Sequence, residues 1–140
     1  MRMRGIEEKD YTVLATTTAD VPSYLSASDA GLAFIKPCFS KLASSPTKYA
    51  EYLACGLPLI INQGIGDSDT LITREKAGVL LRDFSQSDYR SAIAALEDFV
   101  VQPEQTRRRN REVAERLFDV RRVGVERYAH LYESVLGNMN

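Results

Sequence analysis

Apolar residues in this chain fall into short uninterrupted runs, separated by stretches where they recur at helical spacing. Tyr11-Thr12-Val13-Leu14-Ala15-Thr16 is the first run, β-branched and apolar enough to predict a strand. Gly31-Leu32-Ala33-Phe34-Ile35 is the second, stopped by Pro37; Leu59-Ile60-Ile61 is the third and Gly78-Val79-Leu80-Leu81 the fourth. The third, Leu59-Ile60-Ile61, is continuous and apolar, as a strand covered on both faces would be. Between the runs the pattern predicts a short helix from an Asp20 cap through Pro22 to about Ser28, a second after Ser45, and one or two turns over Thr70–Lys76. Ser85 to Val101 is the clearest helix, capped by Ser85 or Ser87, with Tyr89, Ile93, Leu96 and Val100 on one side and Pro103 as its stop. Glu104–Phe118 predicts another helix. A last one, capped by Asp119, carries Val123, Tyr128, Leu131, Tyr132 and Val135. Strands alternating with helices predict an α/β fold: a Rossmann-like parallel sheet with helices on both faces, closed by two C-terminal helices.

The stretch Ser45-Pro46-Thr47-Lys48 to Leu59-Ile60-Ile61 carries the densest local signals. Ser45 is expected to be the N-cap, its hydroxyl taking a first-turn amide, with Pro46 at the first helical position. Gly56 is expected in the left-handed region just past the helix end, and Pro58 bars the helix from continuing. A short helix therefore delivers the chain into a buried strand.

Composition narrows the picture only a little. The 140 residues are 44% apolar and 26% charged with a net charge of −1, so one domain with a real core is expected, and nothing favours nucleic acid. Cys38 and Cys55 have neither the number nor the spacing of a metal site or disulfide framework. No apolar run approaches the roughly 20 residues that span a bilayer. Glu7, Glu8, Lys9 and Asp10 stand where a signal peptide needs apolar residues, so a cytoplasmic setting is expected.

Ligands of open parallel sheets sit in the crevice at the carboxyl ends of the strands. Three polar loops are expected there: Thr16–Asp20, Lys36–Ser45 and Asn62–Asp69. A helix start flanked by Ser45, Thr47 and Lys48 suits a phosphate. Other features have plainer readings. The Gly64-Ile65-Gly66-Asp67 loop is an ordinary turn before it is a phosphate cradle, and Arg107, Arg108, Arg109 and Arg111 read as a solvated helix face. His130 reads as packed within its apolar-periodic helix. Cys55 reads as a helix-end residue, buried and without a histidine to activate it.

The segment Ser45-Pro46-Thr47-Lys48-x-x-Glu51-Tyr52-Leu53-Ala54-x-Gly56-Leu57-Pro58-Leu59-Ile60 resembles the donor-binding segment of GT-B glycosyltransferases, in the large retaining group. Val21–Leu32 is similar to that family's "short helix, alanine-aspartate, strand" segment, Gly78–Leu81 to its following strand, and the last two helices to its C-terminal pair. The resemblance covers the chain from about residue 12 and implies a partial C-terminal, nucleotide-sugar-binding domain over residues 1–140. It implies that Glu51 holds the ribose hydroxyls, that Ser45, Thr47 and Lys48 lie against the diphosphate, and that Thr17 borders the base. No metal or cofactor is implied; the nucleotide-diphosphate-sugar is a substrate. Two adjacent hydroxyls can both donate to one carboxylate, and such charge-assisted bonds are strong.

Two departures stand out. Ala43 occupies the place where many members carry a second glutamate. The two strand–helix units that normally open the donor domain, and the acceptor domain, are also not represented. The resemblance thus implies an acceptor part elsewhere, in a longer polypeptide or a partner chain, and any membrane contact would come through that longer enzyme. Two other functions compete: a non-catalytic interaction protein or donor subunit of a split transferase, and an unrelated α/β nucleotide-binding module.

Overall fold

Three strands, not four, form the sheet. The structure, a computed structural model, describes residues 5–137. In order come α1 (Val21–Ser26), β1 (Gly31–Ala33), α2 (Thr47–Ala54), β2 (Leu59–Asn62), α3 (Ser68–Glu75), β3 (Gly78–Leu81), α4 (Gln86–Val101), α5 (Pro103–Phe118), a π-helical turn over Val120–Gly124 and α6 (Val125–Gly137). The strands lie in the order β1-β2-β3, all parallel, with Gly31 opposite Leu59 and Leu59 opposite Gly78. The α/β class and helices on both faces stand as expected.

The predicted first strand does not form. Tyr11–Thr16 runs as irregular chain with Val13 84% exposed, because no neighbouring strand completes its backbone hydrogen bonds. Strand-forming composition is not enough without an edge to pair with.

Pleating divides the core in two. Leu59 and Ile61 face α2, α3 and α5 and pack with Tyr49, Leu53, Leu71, Ile72, Val113 and Ala114. On the other face, Val79 and Leu81 meet Ala92 of α4, with Ile60, Leu96 and Phe99 packed around them. Since α4 lies on β3, the same face over β1 is left open at Leu32, which is 57% exposed, while Phe34 just beyond the strand meets Phe84, just ahead of α4, and Tyr89 of α4 edge-on. Among the described residues no strand pairs with the outer edge of β1 or with that of β3.

Helix ends follow their chemistry with some displacement. At the end of α2, Gly56 sits at φ +80°; its amide donates to the Leu53 carbonyl (2.8 Å) and that of Leu57 to the Tyr52 carbonyl (2.9 Å). This is the paired-bond C-cap that glycine permits. Ser85 caps α4, its hydroxyl accepting from the Asp88 amide. Pro103 both terminates α4 and opens α5, where its missing N–H costs nothing.

The last helix corrects an expectation. Asp119 does cap, but it caps the π-helical turn, accepting from the amides of Arg121 and Arg122. Beyond it α6 buries no residue, and His130 is exposed rather than packed. Among the described residues no helix is long and apolar enough to cross a membrane.

Candidate functional site

Loops from the carboxyl ends of β1 and β2 are tied to each other. The Gly66 amide donates to the Lys41 carbonyl at 2.9 Å, and Gly66, at φ +51°, backs so closely on the Ser44 carbonyl that a Cβ would strike it. The Gly64 amide donates to Asp69 Oδ1 at 3.1 Å. Both glycine amides are therefore occupied, which supports the ordinary-turn reading of this loop. Asn62, 2% exposed at the end of β2, extends the sheet with its side chain: Oδ1 accepts from the Ile35 amide (2.8 Å) and Nδ2 donates to the Ile35 carbonyl (2.9 Å). It fixes where the β1–α2 loop departs. Sequence reasoning passed over it as part of a polar turn.

Helix α2 starts one residue later than expected. Pro46, at φ −68° and ψ 118°, takes the N-cap position, and no side chain caps the helix. Ser45 is therefore not the cap, since a proline cannot sit at the cap and at the first turn at once. The consequence favours a ligand: the amides of Thr47 and Lys48 lack intrahelical acceptors and have no side-chain cap. Ser45, Thr47 and Lys48 are exposed there, and Lys48 forms no ion pair with a described residue.

Glu51 follows one turn along α2 and is exposed. It borders a groove of about 400 Å³ between α2 and α5, lined by Ala50, Ala54, Ala114, Phe118, Arg111 and Glu115, with Asp119 at its rim. Ser45 borders a different cleft of about 430 Å³, with Tyr49, Thr70, Arg74 and Arg127. Thr17 stays apart. Its hydroxyl donates to the Asp20 carboxylate at 2.7 Å in the turn before α1, and α1 meets α2 at the Cys55 end, where the thiol lies 3.9 Å from the Pro22 carbonyl. No hydrogen bond joins Thr17 to the start of α2. Ala43 is exposed in the loop ahead of α2.

The arginine run is a solvated face only in part: Arg108 and Arg111 are exposed, whereas Arg107 and Arg109 are half-buried. Arg107 donates from Nη2 to the Ser28 carbonyl (2.8 Å) and from Nη1 to the Cys55 carbonyl (3.3 Å); Arg111 Nε donates to the Ala54 carbonyl (3.3 Å). The bonds to Ala54 and Cys55 cover carbonyls that the end of α2 cannot satisfy itself, and the bond to Ser28 ties the chain after α1 to α5. Arg109 lies over the Phe99 ring at 5.2 Å from its centroid. Only long-range contacts separate these roles from those of surface arginines, so spacing alone could not.

Two ionisable groups here depart from ordinary behaviour. Burial pushes the Tyr49 phenol up, since a phenolate would lose its water; the neighbouring Ser68 hydroxyl opposes that shift. The Cys38 thiol, exposed in the β1–α2 loop, is lowered mainly by the Ser40 hydroxyl 3.4 Å away. No group of three or more potential metal ligands is found among the described residues.

A scan against protein-family models and searches of curated proteins and of solved structures match nothing. The parallel α/β sheet is thus established by the geometry alone, and the likeness to glycosyltransferases rests on the residues themselves.

Proposed function

We propose that this chain is the donor-binding part of a glycosyltransferase, taking a nucleotide-diphosphate-sugar whose hexosyl group passes to a glycan or lipid-linked acceptor. The observation that carries the reading is the layout of α2. An uncapped helix start with Ser45, Thr47 and Lys48 lies at the carboxyl-end crevice of the sheet, and Glu51 stands one turn further along the same helix. A diphosphate at the helix start would meet free amides, the positive end of the helix dipole and a lysine. Glu51, roughly 6 Å along at 1.5 Å per residue, is where the adjoining ribose diol would fall.

Catalysis in this reading is the stabilisation of the departing diphosphate by those donors, a contribution that preorganised amides and a cation can make. The exposed Leu32 and the open edge of β1 have room for a further polypeptide element beside them, from this protein or a partner, and sugar transfer would need the acceptor part as well. Alone, these residues would bind donor without transferring it.

Ligand-observed NMR with uridine, guanosine and adenosine diphosphates tests the reading. At least one nucleotide should bind, and Glu51→Ala should weaken it about tenfold, as expected for loss of charge-assisted hydrogen bonds worth about 1.5–3 kcal/mol. A folded protein that ignores all three nucleotides, or binds them equally well with Glu51→Ala, would exclude a ribose-binding role for Glu51.

A further inference from the structure

Helices α2 and α5 run antiparallel along the groove that Glu51 borders, so its residues fall in a definite order. Phe118 and Asp119 lie towards the start of α2, Glu51 and Glu115 at its middle, and Ala54 and Arg111 at its far end. Its lining includes three alanines, Ala50, Ala54 and Ala114, whose small side chains leave apolar surface between the polar groups. Asp119 gives Oδ1 to the amides of Arg121 and Arg122 at the end of the groove, and Glu51, Glu115 and Arg111 are the polar side chains along its length.

Arg111 is fixed in a useful way. Its Nε donates to the Ala54 carbonyl, which anchors the guanidinium plane while leaving the two terminal nitrogens free. Although Arg111 and Glu115 are one turn apart on α5, they form no ion pair. Ala54 lies about 4.5 Å beyond Glu51 along α2, given the rise per residue. A nucleotide whose diphosphate sits at the helix start and whose ribose reaches Glu51 would carry its base to Arg111.

We propose that this groove is the nucleoside subsite and that Arg111 makes it selective for guanine; the proposal rests on the donor reading above. Guanine presents two adjacent acceptors, O6 and N7, which match the paired donors of one guanidinium. Adenine places an amino donor beside N7, and uracil separates its two carbonyls with an N–H, so neither matches. Glu115, level with Glu51, gives the ribose diol a second carboxylate.

The test measures dissociation constants by NMR titration of wild-type protein with guanosine, inosine, uridine and adenosine diphosphates. Inosine keeps O6 and N7 but lacks the 2-amino group, so it should bind like guanosine, and both should bind about tenfold or more tightly than the other two. Arg111→Lys keeps the charge and loses the paired donors; with folding verified by circular dichroism, it should bring guanosine and inosine diphosphates down to the uridine level. Equal binding of all four nucleotides, each weakened by Glu51→Ala, would overturn the guanine assignment and leave the donor reading intact. A guanine preference that survives Arg111→Lys would overturn the role of Arg111. No binding by the folded wild-type protein would overturn both.

Discussion

Tyr49 shows how a single atom can be at odds with its surroundings. The residue is 3% exposed and its ring belongs to the core beside Leu53 and Leu71, yet among the described residues its hydroxyl makes no hydrogen bond of normal geometry, the nearby Ser68 hydroxyl donating to the Ile65 carbonyl instead. A buried unpaired hydroxyl loses water without replacing it. Tyr49→Phe is therefore expected to leave stability unchanged or raise it by up to about 1 kcal/mol, measured by urea denaturation. The pH dependence has a definite sign. A phenol whose folded pKa is raised contributes stability that is fully present below its unfolded pKa, near 10, and is lost as pH rises through the higher folded value. Wild type should lose stability more steeply than Tyr49→Phe above about pH 10. Equal alkaline slopes would show that the phenol titrates freely.

Among the elements, α6 stands out for an apolar stripe that nothing in the described residues covers. Tyr128, Leu131, Tyr132, Val135 and Leu136 are each more than half exposed, and the helix buries nothing. Truncation after Gly124 should leave the unfolding free energy within about 0.5 kcal/mol of wild type, the usual size of a surface change, and should lower binding of a hydrophobic dye. A large loss of stability would mean that α6 supports the core after all. The same helix shows where the sequence could be read and where it could not. Its periodicity foretold a helix, as Ser85 and the left-handed Gly56 foretold the ends of α4 and α2. Periodicity identifies an apolar stripe but not a partner for it, so His130 was expected to be packed when it is exposed. The strand expected at Tyr11–Thr16 failed for a related reason: ladders need a neighbour, and composition does not supply one. At the site, Glu51 and Lys48 were marked by their place on α2. Asn62 and Arg107 were not, because each acts on carbonyls or amides distant in sequence, Ile35 for the first and Ser28 for the second.

Taken as a whole, the sheet has two edge strands, β1 and β3, and the β1 edge is apolar. The free edge of β1 runs through Gly31-Leu32-Ala33, beside Phe34 and Ile35, with no charge and no proline until Lys36 and Pro37. Edge strands of soluble proteins ordinarily carry such devices against pairing with other chains. Leu32→Lys places a charge on the open face of β1, where Leu32 is already 57% exposed and little packing is lost. It should reduce concentration-dependent association in analytical ultracentrifugation while changing stability by no more than about 0.5 kcal/mol. Association unchanged by the lysine would place the sticky surface elsewhere, with α6 the next to test.

The bonds from Arg107 bear on the order in which the molecule can be made. All three strands have emerged by Leu81, but the carbonyls of Ser28 and Cys55 receive their donors from a residue 79 and 52 positions later. Contacts so far apart in sequence close slowly, because a long loop must be ordered before they form. A chain still leaving the ribosome, with its sheet complete, thus has the end of α2 unsecured until α5 follows. Stalled or prematurely ended chains that stop short of Arg107 would expose that seam to proteases.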